Sequence, residues 1–391
     1  MRVLVFCGLA ALPACSGLPV RGMIAGQSLQ SRVDSEAARY YVANYLAGKR
    51  TDPALDARID RVYQNMNGHL PGREELKEVS DEFSPDFAAL LFADEIARVP
   101  KNRRFRTLFD AAYDVTRESF GKGRFEVPST AVNYELLFVP TYLYNRFTFT
   151  GADLAGPRKA LAEAGFPCYF VKTIDDGPIE SNAEIIMAAI RARVQSGRRL
   201  IIISASKSGP EVALALTKLG ASGTAHVAAW VNNVGAIQGT PLIDDKLIPE
   251  IEFFVGKVDK AGVESLSVAR SRQRFDSFMI PEHVLVINYF GIPVSGSVSF
   301  RARRGFYPMQ KYGPNDGMVL LADMVFPGGI TVTEIGSDHF MGDRDRDIVA
   351  VALTTAVIRW LDGAVEAAGS TARSPSDTTT RQQIDRSPGP N

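Results

Sequence analysis

The chain has 391 residues, with 44 Lys+Arg balanced by 44 Asp+Glu, 46% hydrophobic residues and three cysteines. That is enough apolar material for one large domain with an appendage, or for two ordinary domains. Zero formal net charge excludes the basic footprint of a dedicated nucleic-acid binder, and near-average charged and aromatic content excludes wholesale disorder.

At the amino terminus, Arg2 precedes an uncharged run, Val3 to Ala14. As a helix the run is too short to span about 30 Å of hydrocarbon, but it has the length of a signal-peptide apolar region, so residues 1–14 are expected to be an export signal. The sequence Leu12-Pro13-Ala14-Cys15 resembles a bacterial lipobox. That resemblance implies Cys15 as the lipidated first residue of the mature protein, although Pro13 departs from the usual small residue. A plain secretory signal and a strand of the fold are the other readings. The expected location is the cell envelope, with the membrane reached through an N-terminal lipid. Ser16, by resemblance to bacterial sorting signals, points to the outer membrane. Cys7 would leave with the signal, so Cys168 stands alone in the apolar stretch Phe166 to Val171 and reads as a small buried hydrophobe. Neither a disulfide framework nor a zinc site is expected.

Residues 15–32 read as a tether. Residues 33–130 show apolar positions at helical spacing, with Asp52-Pro53 and Ser84-Pro85 each supplying an N-cap followed by Pro in the first turn. The run Phe87 to Phe92 is apolar on nearly every face and predicts a helix buried against the next domain. From about Asn133 strands and helices alternate. Strands are expected at 135–139, 168–171, 200–203, 227–231, 284–289 and 330–334. Helices are expected at 157–164, from a capping box at Ser181 to Glu184, at 210–219 and at 348–361. Near-continuous apolar strands alternating with helices predict an α/β fold with a mostly parallel, doubly wound sheet over residues 131–365. The stretch 240–282 interrupts this rhythm and reads as a cap or as a plain helical connection. Residues 366–391 lack a periodic apolar face and are expected to be a disordered tail.

The chemistry concentrates at Ile201 to Pro210, a buried strand turning into a helix. A nucleophile in such a turn needs small residues two before and two after it. Only Ser206 meets that condition, flanked by Ser204 and Ser208; with Ser204 the crowded slot would hold Ile202, and with Ser208 it would hold Pro210. A Ser-rich turn without catalysis is the plainer alternative. Ligands of open parallel sheets bind outside the carboxyl ends of the strands. His226 and His283 precede strands, and His69 sits in a predicted turn. His339 follows the strand 330–334 and is the base candidate. Asp316, in Asn315-Asp316-Gly317, reads either as the acid that orients the imidazole or as an Asx-turn residue. Asp338, Asp244 and Asp245 are the fallbacks.

With Ser206, Asp316 and His339 in that order, residues 133–365 resemble an α/β-hydrolase, of the kind seen in bacterial lipases and esterases. The Gly239 to Asp244, Asn315 to Val319 and Ser337 to Phe340 stretches carry the rest of the resemblance. It departs at the elbow, where serines replace glycines, and at Val139-Pro140-Thr141, where the family commonly has a His-Gly turn. The resemblance implies a backbone oxyanion hole from Lys207 and, by position, Tyr142, with Thr141 and Leu143 as alternatives. The Lys207 side chain is expected to be solvated. Tyr142 and Tyr144 line an acyl pocket or pack beneath the cap. It also implies an exported serine hydrolase acting on a small-molecule or lipid ester without cofactor or metal. An inactive envelope scaffold of the same fold, or an amide or thioester hydrolase, are the alternatives. A Ser-x-x-Lys reading of Ser204 to Lys207 lacks the Lys-Thr-Gly strand that penicillin-recognising enzymes require. The sequence does not fix the oligomeric state.

Overall fold

In the computed structural model the described residues are 17–120, 122, 125–146, 151–244, 257–342 and 345–372. The predicted signal and Cys15 lie outside them. Six parallel strands form the centre, in the order β4-β3-β5-β6-β7-β8. They are β3 (Tyr134–Val139), β4 (Cys168–Phe170), β5 (Arg199–Ala205), β6 (Val227–Asn233), β7 (Leu285–Ile292) and β8 (Ile330–Ile335). Successive residues of each inner strand enter different cores. Leu137, Val139, Leu200, Ile202 and Trp230 pack on one face, and Leu136, Phe138, Ile201, Ile203 and Val231 on the other. Burial on both faces explains why these strands read as continuous apolar runs rather than alternating ones.

The first face is covered by α4 (Pro85–Arg98), α7 (Ile179–Arg191) and α8 (Ser208–Gly223), the second by α5 (Pro100–Phe120), α6 (Ala155–Glu163) and the C-terminal helix Arg346–Ala372. Before α4 come α1 (Glu36–Tyr40), α2 (Pro53–Met66) and α3 (Arg73–Glu82). Asp52 and Ser84 cap α2 and α4 as expected, their side chains accepting from Leu55 N and Phe87 N. The apolar run of α4 is buried from Phe87 to Ala93. A capping box at Ser181 does not open α7, which begins two residues earlier at Ile179 behind Pro178.

Two terminal expectations need correction. Residues 15–32 are not a tether: β1 (Leu18–Ile24) and β2 (Gln27–Val33) form an antiparallel hairpin. Val20, Ile24, Leu29 and Val33 are buried, four positions apart on each strand, with half-buried residues between them and exposed ones on the other face, and Ala25-Gly26 turns with positive φ at both positions, the geometry of a tight hairpin turn. The C-terminal helix runs to Ala372, past residue 366 where the tail was expected to begin, because Ala364, Glu366, Ala367 and Ala368 are helix formers. Residues 373–391 lie outside the described set.

The hairpin and α5 finish the exposed edge of β8. Gln27 donates through Nε2 to Thr333 O at 2.9 Å and accepts from Ile335 N at 3.1 Å. Asn102 accepts from Thr331 N at 2.9 Å, and Arg106 donates to Thr333 O at 2.9 Å. Side chains thus occupy edge groups that would otherwise offer a template for another strand. An ion pair between half-buried Arg73 and fully buried Asp323 ties α3 to the segment before β8.

Candidate active site

The chain runs from β3 outward to β4 and returns past β3 to β5, so the strand order reverses between β3 and β5. Crevices at such switch points, outside the carboxyl ends, are where open α/β sheets bind ligands. Ser206 stands there, between β5 and α8, with φ of 54°. Its N–H donates to Asn233 O at 2.9 Å, and its carbonyl accepts from Gly209 N and Ala236 N. These bonds hold a non-glycine residue in the left-handed region, which persists only where the surroundings over-determine it.

The two flanking serines fit the crowding rule and add bonds that glycines cannot make. Ser204 Oγ accepts from Trp230 Nε1 at 2.8 Å. Ser208 Oγ accepts from Ala205 N at 2.8 Å and lies 2.9 Å from Ala205 O and 3.0 Å from Val139 O. Ser208 thereby links the elbow to the end of β3. Gly209 is a further constraint, absent from the sequence reading: a Cβ there would lie 2.6 Å from Asn232 Oδ1 and 3.0 Å from Gly235 Cα.

His339 lies four residues past the end of β8, and its Nε2 is 3.1 Å from Ser206 Oγ across 133 positions of chain. Its Nδ1 is 2.7 Å from Asp316 Oδ2. Asp316 is fully buried in a turn closed by its N–H donating to Val319 O at 3.0 Å. Its Oδ1 accepts from Met318 N at 2.9 Å and Val319 N at 2.8 Å. Asp316 thus makes both contacts, one oxygen to the histidine and the other to the turn. Gly317 has φ of 96°, and a Cβ there would meet Ala302 Cβ at 2.7 Å.

The other candidates go elsewhere. Asp338 accepts from Ser299 N and Phe340 N, shaping the turn that carries His339. Asp244 accepts from Val268 N, and Asp245 lies outside the described residues. His226 and His283 bond to the carbonyls of Ile190 and Thr224 at the amino ends of β6 and β7, and His69 pairs with Glu75. Cys168 is half-buried and unbridged; burial pushes its thiol up to about 11, which keeps it protonated.

The loop after β3 treats the N–H groups of Thr141, Tyr142 and Leu143 differently. Thr141 N–H donates to Ala152 O at 3.1 Å and Leu143 N–H to Asp175 O at 2.9 Å. Among the described residues no bond engages the Tyr142 or Lys207 N–H, and both residues border the cavity with Ser206 and His339. The Lys207 side chain is a correction. It is 2% exposed and paired with Glu211 one turn along α8, a partner at the i+4 spacing that favours such pairs. Burial raises the Glu211 carboxyl above its usual range against the pull of that ammonium. Tyr142 lines the cavity, whereas Tyr144 is buried with its hydroxyl donating to Thr173 O at 2.9 Å.

The cavity has a volume of about 1200 Å³. Leu154, Val349 and Leu353, from the start of α6 and the C-terminal helix, line it together with Leu242, Val263 and Leu266 from the 240–282 stretch. Within that stretch short helices occupy Pro241–Asp244, Lys260–Glu264 and Val268–Phe275. Among the described residues no three His, Cys, Asp or Glu side chains converge as a metal site, and no helix is long and apolar enough to cross a membrane.

A metagenomic carboxyl esterase of known structure superimposes on this chain with a TM-score of 0.50 and 20% identity, over 61% of this chain and 78% of that one. The chain has an α/β-hydrolase fold. The mature lipase BlEst2 of Bacillus licheniformis is similar at a TM-score of 0.48 and 21% identity, covering 60% of this chain and 94% of that one. No family model and no curated protein sequence matches the chain. Within the hydrolase fold of this chain, the elbow between β5 and α8, the acid turn between β7 and β8 and the histidine turn after β8 converge at one end of the sheet.

Proposed function

We propose that the chain is a serine hydrolase that cleaves carboxylic esters with an apolar acyl part. The observation that carries the reading is the line Ser206 Oγ, His339, Asp316, at 3.1 Å and 2.7 Å, opening on an apolar cavity. His339 Nε2 takes the Ser206 proton as Oγ attacks the ester carbonyl. Asp316 holds the proton on Nδ1 and stabilises the imidazolium that forms. The N–H groups of Lys207 and Tyr142 receive the developing oxyanion; one such donor is worth about 2.7–4 kcal/mol of barrier. His339 then returns its proton to the leaving alkoxide. Water, activated by the same imidazole, hydrolyses the acyl-enzyme and frees Ser206.

The leucines and valines that line the cavity with Ser206 favour an ester with hydrophobic groups over a small charged one. Hydrolysis of p-nitrophenyl esters of increasing chain length tests the reading. Turnover lost in His339→Ala supports it, whereas turnover that survives that change, or no turnover at all, favours the scaffold alternative. Matched amide and thioester substrates in the same assay decide which acyl bond is cut.

We further propose that the chain is exported and held at the membrane by lipid on Cys15, on the strength of Leu12-Pro13-Ala14-Cys15. Expression with labelled palmitate checks this: label in the wild type and none in Cys15→Ser is the expected result.

A further inference from the structure

We propose that Lys207, Glu211 and Asn182 form a buried positioning relay that holds the Tyr142 arm of the oxyanion hole in register with the Lys207 arm. The inference rests on the hydrolase reading and assigns work to side chains that the triad leaves unused. All three are buried, at 2%, 2% and 1% exposure. Lys207 Nζ donates to Glu211 Oε1. Asn182 Nδ2 donates to the same oxygen at 2.8 Å and to Ile174 O at 3.1 Å, while its Oδ1 accepts from Ile174 N at 2.9 Å. The carboxylate fixes the amide's orientation. Only with its NH₂ towards Glu211 and the Ile174 carbonyl can the Asn182 oxygen face the Ile174 N–H.

The segment so gripped is the one that clamps the oxyanion loop. Asp175 O accepts from Leu143 N at 2.9 Å, Asp175 Oδ1 from Asn145 N at 2.9 Å, and Thr173 O from the Tyr144 hydroxyl at 2.9 Å. Leu143, next to Tyr142, has φ of 56°, a strained conformation for a side chain-bearing residue that needs such a clamp. A hydrogen-bonded path therefore runs from the residue after the nucleophile, through Glu211, Asn182, Ile174 and Asp175, to Leu143 and Asn145 just after Tyr142. A buried ion pair is a costly way to gain stability, since apolar replacements of similar volume are often neutral or better. Holding two backbone donors at one spacing gives it a use beyond stability.

The test uses the full chain, an ester substrate and active sites titrated to completion with a fluorophosphonate, so that misfolded molecules do not count. Asn182→Ala cuts the relay and leaves the ion pair. Lys207→Met combined with Glu211→Leu cuts it at the other end with apolar groups of similar volume. Each is expected to lower kcat per titrated site about 10- to 100-fold, the scale of a misplaced catalytic geometry, with KM nearly unchanged. Affinity for a boronic acid, which becomes a tetrahedral anion on Ser206, should fall by the same factor. Combining the cuts should add little, because they break one path. A merely structural role would lower Tm and the titratable fraction while leaving kcat per site and boronic acid affinity intact, and that result overturns the proposal. So does a loss confined to KM. Wild-type protein without His339-dependent turnover would instead sink the hydrolase reading itself, and the relay with it.

Discussion

Asp316 and His339 are joined twice: Asp316 Oδ2 lies 2.7 Å from His339 Nδ1, and the Asp316 carbonyl accepts from the His339 backbone N–H at 2.9 Å. The second bond fixes the histidine turn against the acid turn whatever the side chains do. Asp316→Asn keeps an oxygen for the Met318 and Val319 N–H groups and lets an amide NH₂ face Nδ1, which favours the wrong tautomer. The expected result is a kcat lower by about 10⁴-fold with little loss of stability. Asp316→Ala strips both turn N–H groups of their acceptor and should also unfold at lower urea. Steady-state kinetics and urea denaturation of the two variants check the contrast.

The elbow serines should separate stability from catalysis. Ser204→Ala leaves the Trp230 N–H without its acceptor, and Ser208→Ala does the same to Ala205 N–H. Each buried donor left unpaired costs about 1–3 kcal/mol. Only Ser208 also reaches Val139 O, where the oxyanion loop begins. Both variants should therefore lose stability, but only Ser208→Ala should lose kcat. Equal kcat in the two would contradict the link between that hydroxyl and the loop.

A pH response is built into the contact between α4 and the segment after β7. Asp86 accepts from the N–H groups of Asp34 and Ser295; burial, with the charge of Asp34, pushes its carboxyl up to about 7. Unfolded, that carboxyl titrates near 4, so the native state binds the extra proton between those values. The Asp86 contribution to stability therefore falls as pH rises from about 4 to about 7. Asp34→Asn removes the like charge and keeps an acceptor for Asp86 N–H. Relative to wild type, it should be more stabilising at pH 8 than at pH 5 in urea titrations, and an equal effect at both would refute the assignment.

Ser206 was legible because a strained strand-to-helix turn admits few residues, and small side chains at 204 and 208 single it out. His339 was legible because strand direction removes the other histidines. The hairpin over Leu18–Val33 was missed although its signal was present: Val20, Ile24, Leu29 and Val33 fall on one face either side of Ala25-Gly26, but polar neighbours gave that segment the texture of a linker. Burial of Lys207 could not be read from composition, since lysine is normally solvated. Its partner Glu211 sits at i+4, but Asn182 comes from another helix, and only the tertiary fold brings it there. That the Thr141 and Leu143 N–H groups are engaged likewise depends on bonds to Ala152 and Asp175, which no local pattern announces.

The central claim is that Ser206 is a nucleophile activated by His339. Intact-mass analysis after treatment with a fluorophosphonate, followed by peptide mapping, tests it most directly. The expected result is one adduct per chain on the peptide containing Ser206, absent from Ser206→Ala and strongly slowed in His339→Ala. An unlabelled wild-type protein, or an adduct on another residue, would contradict it.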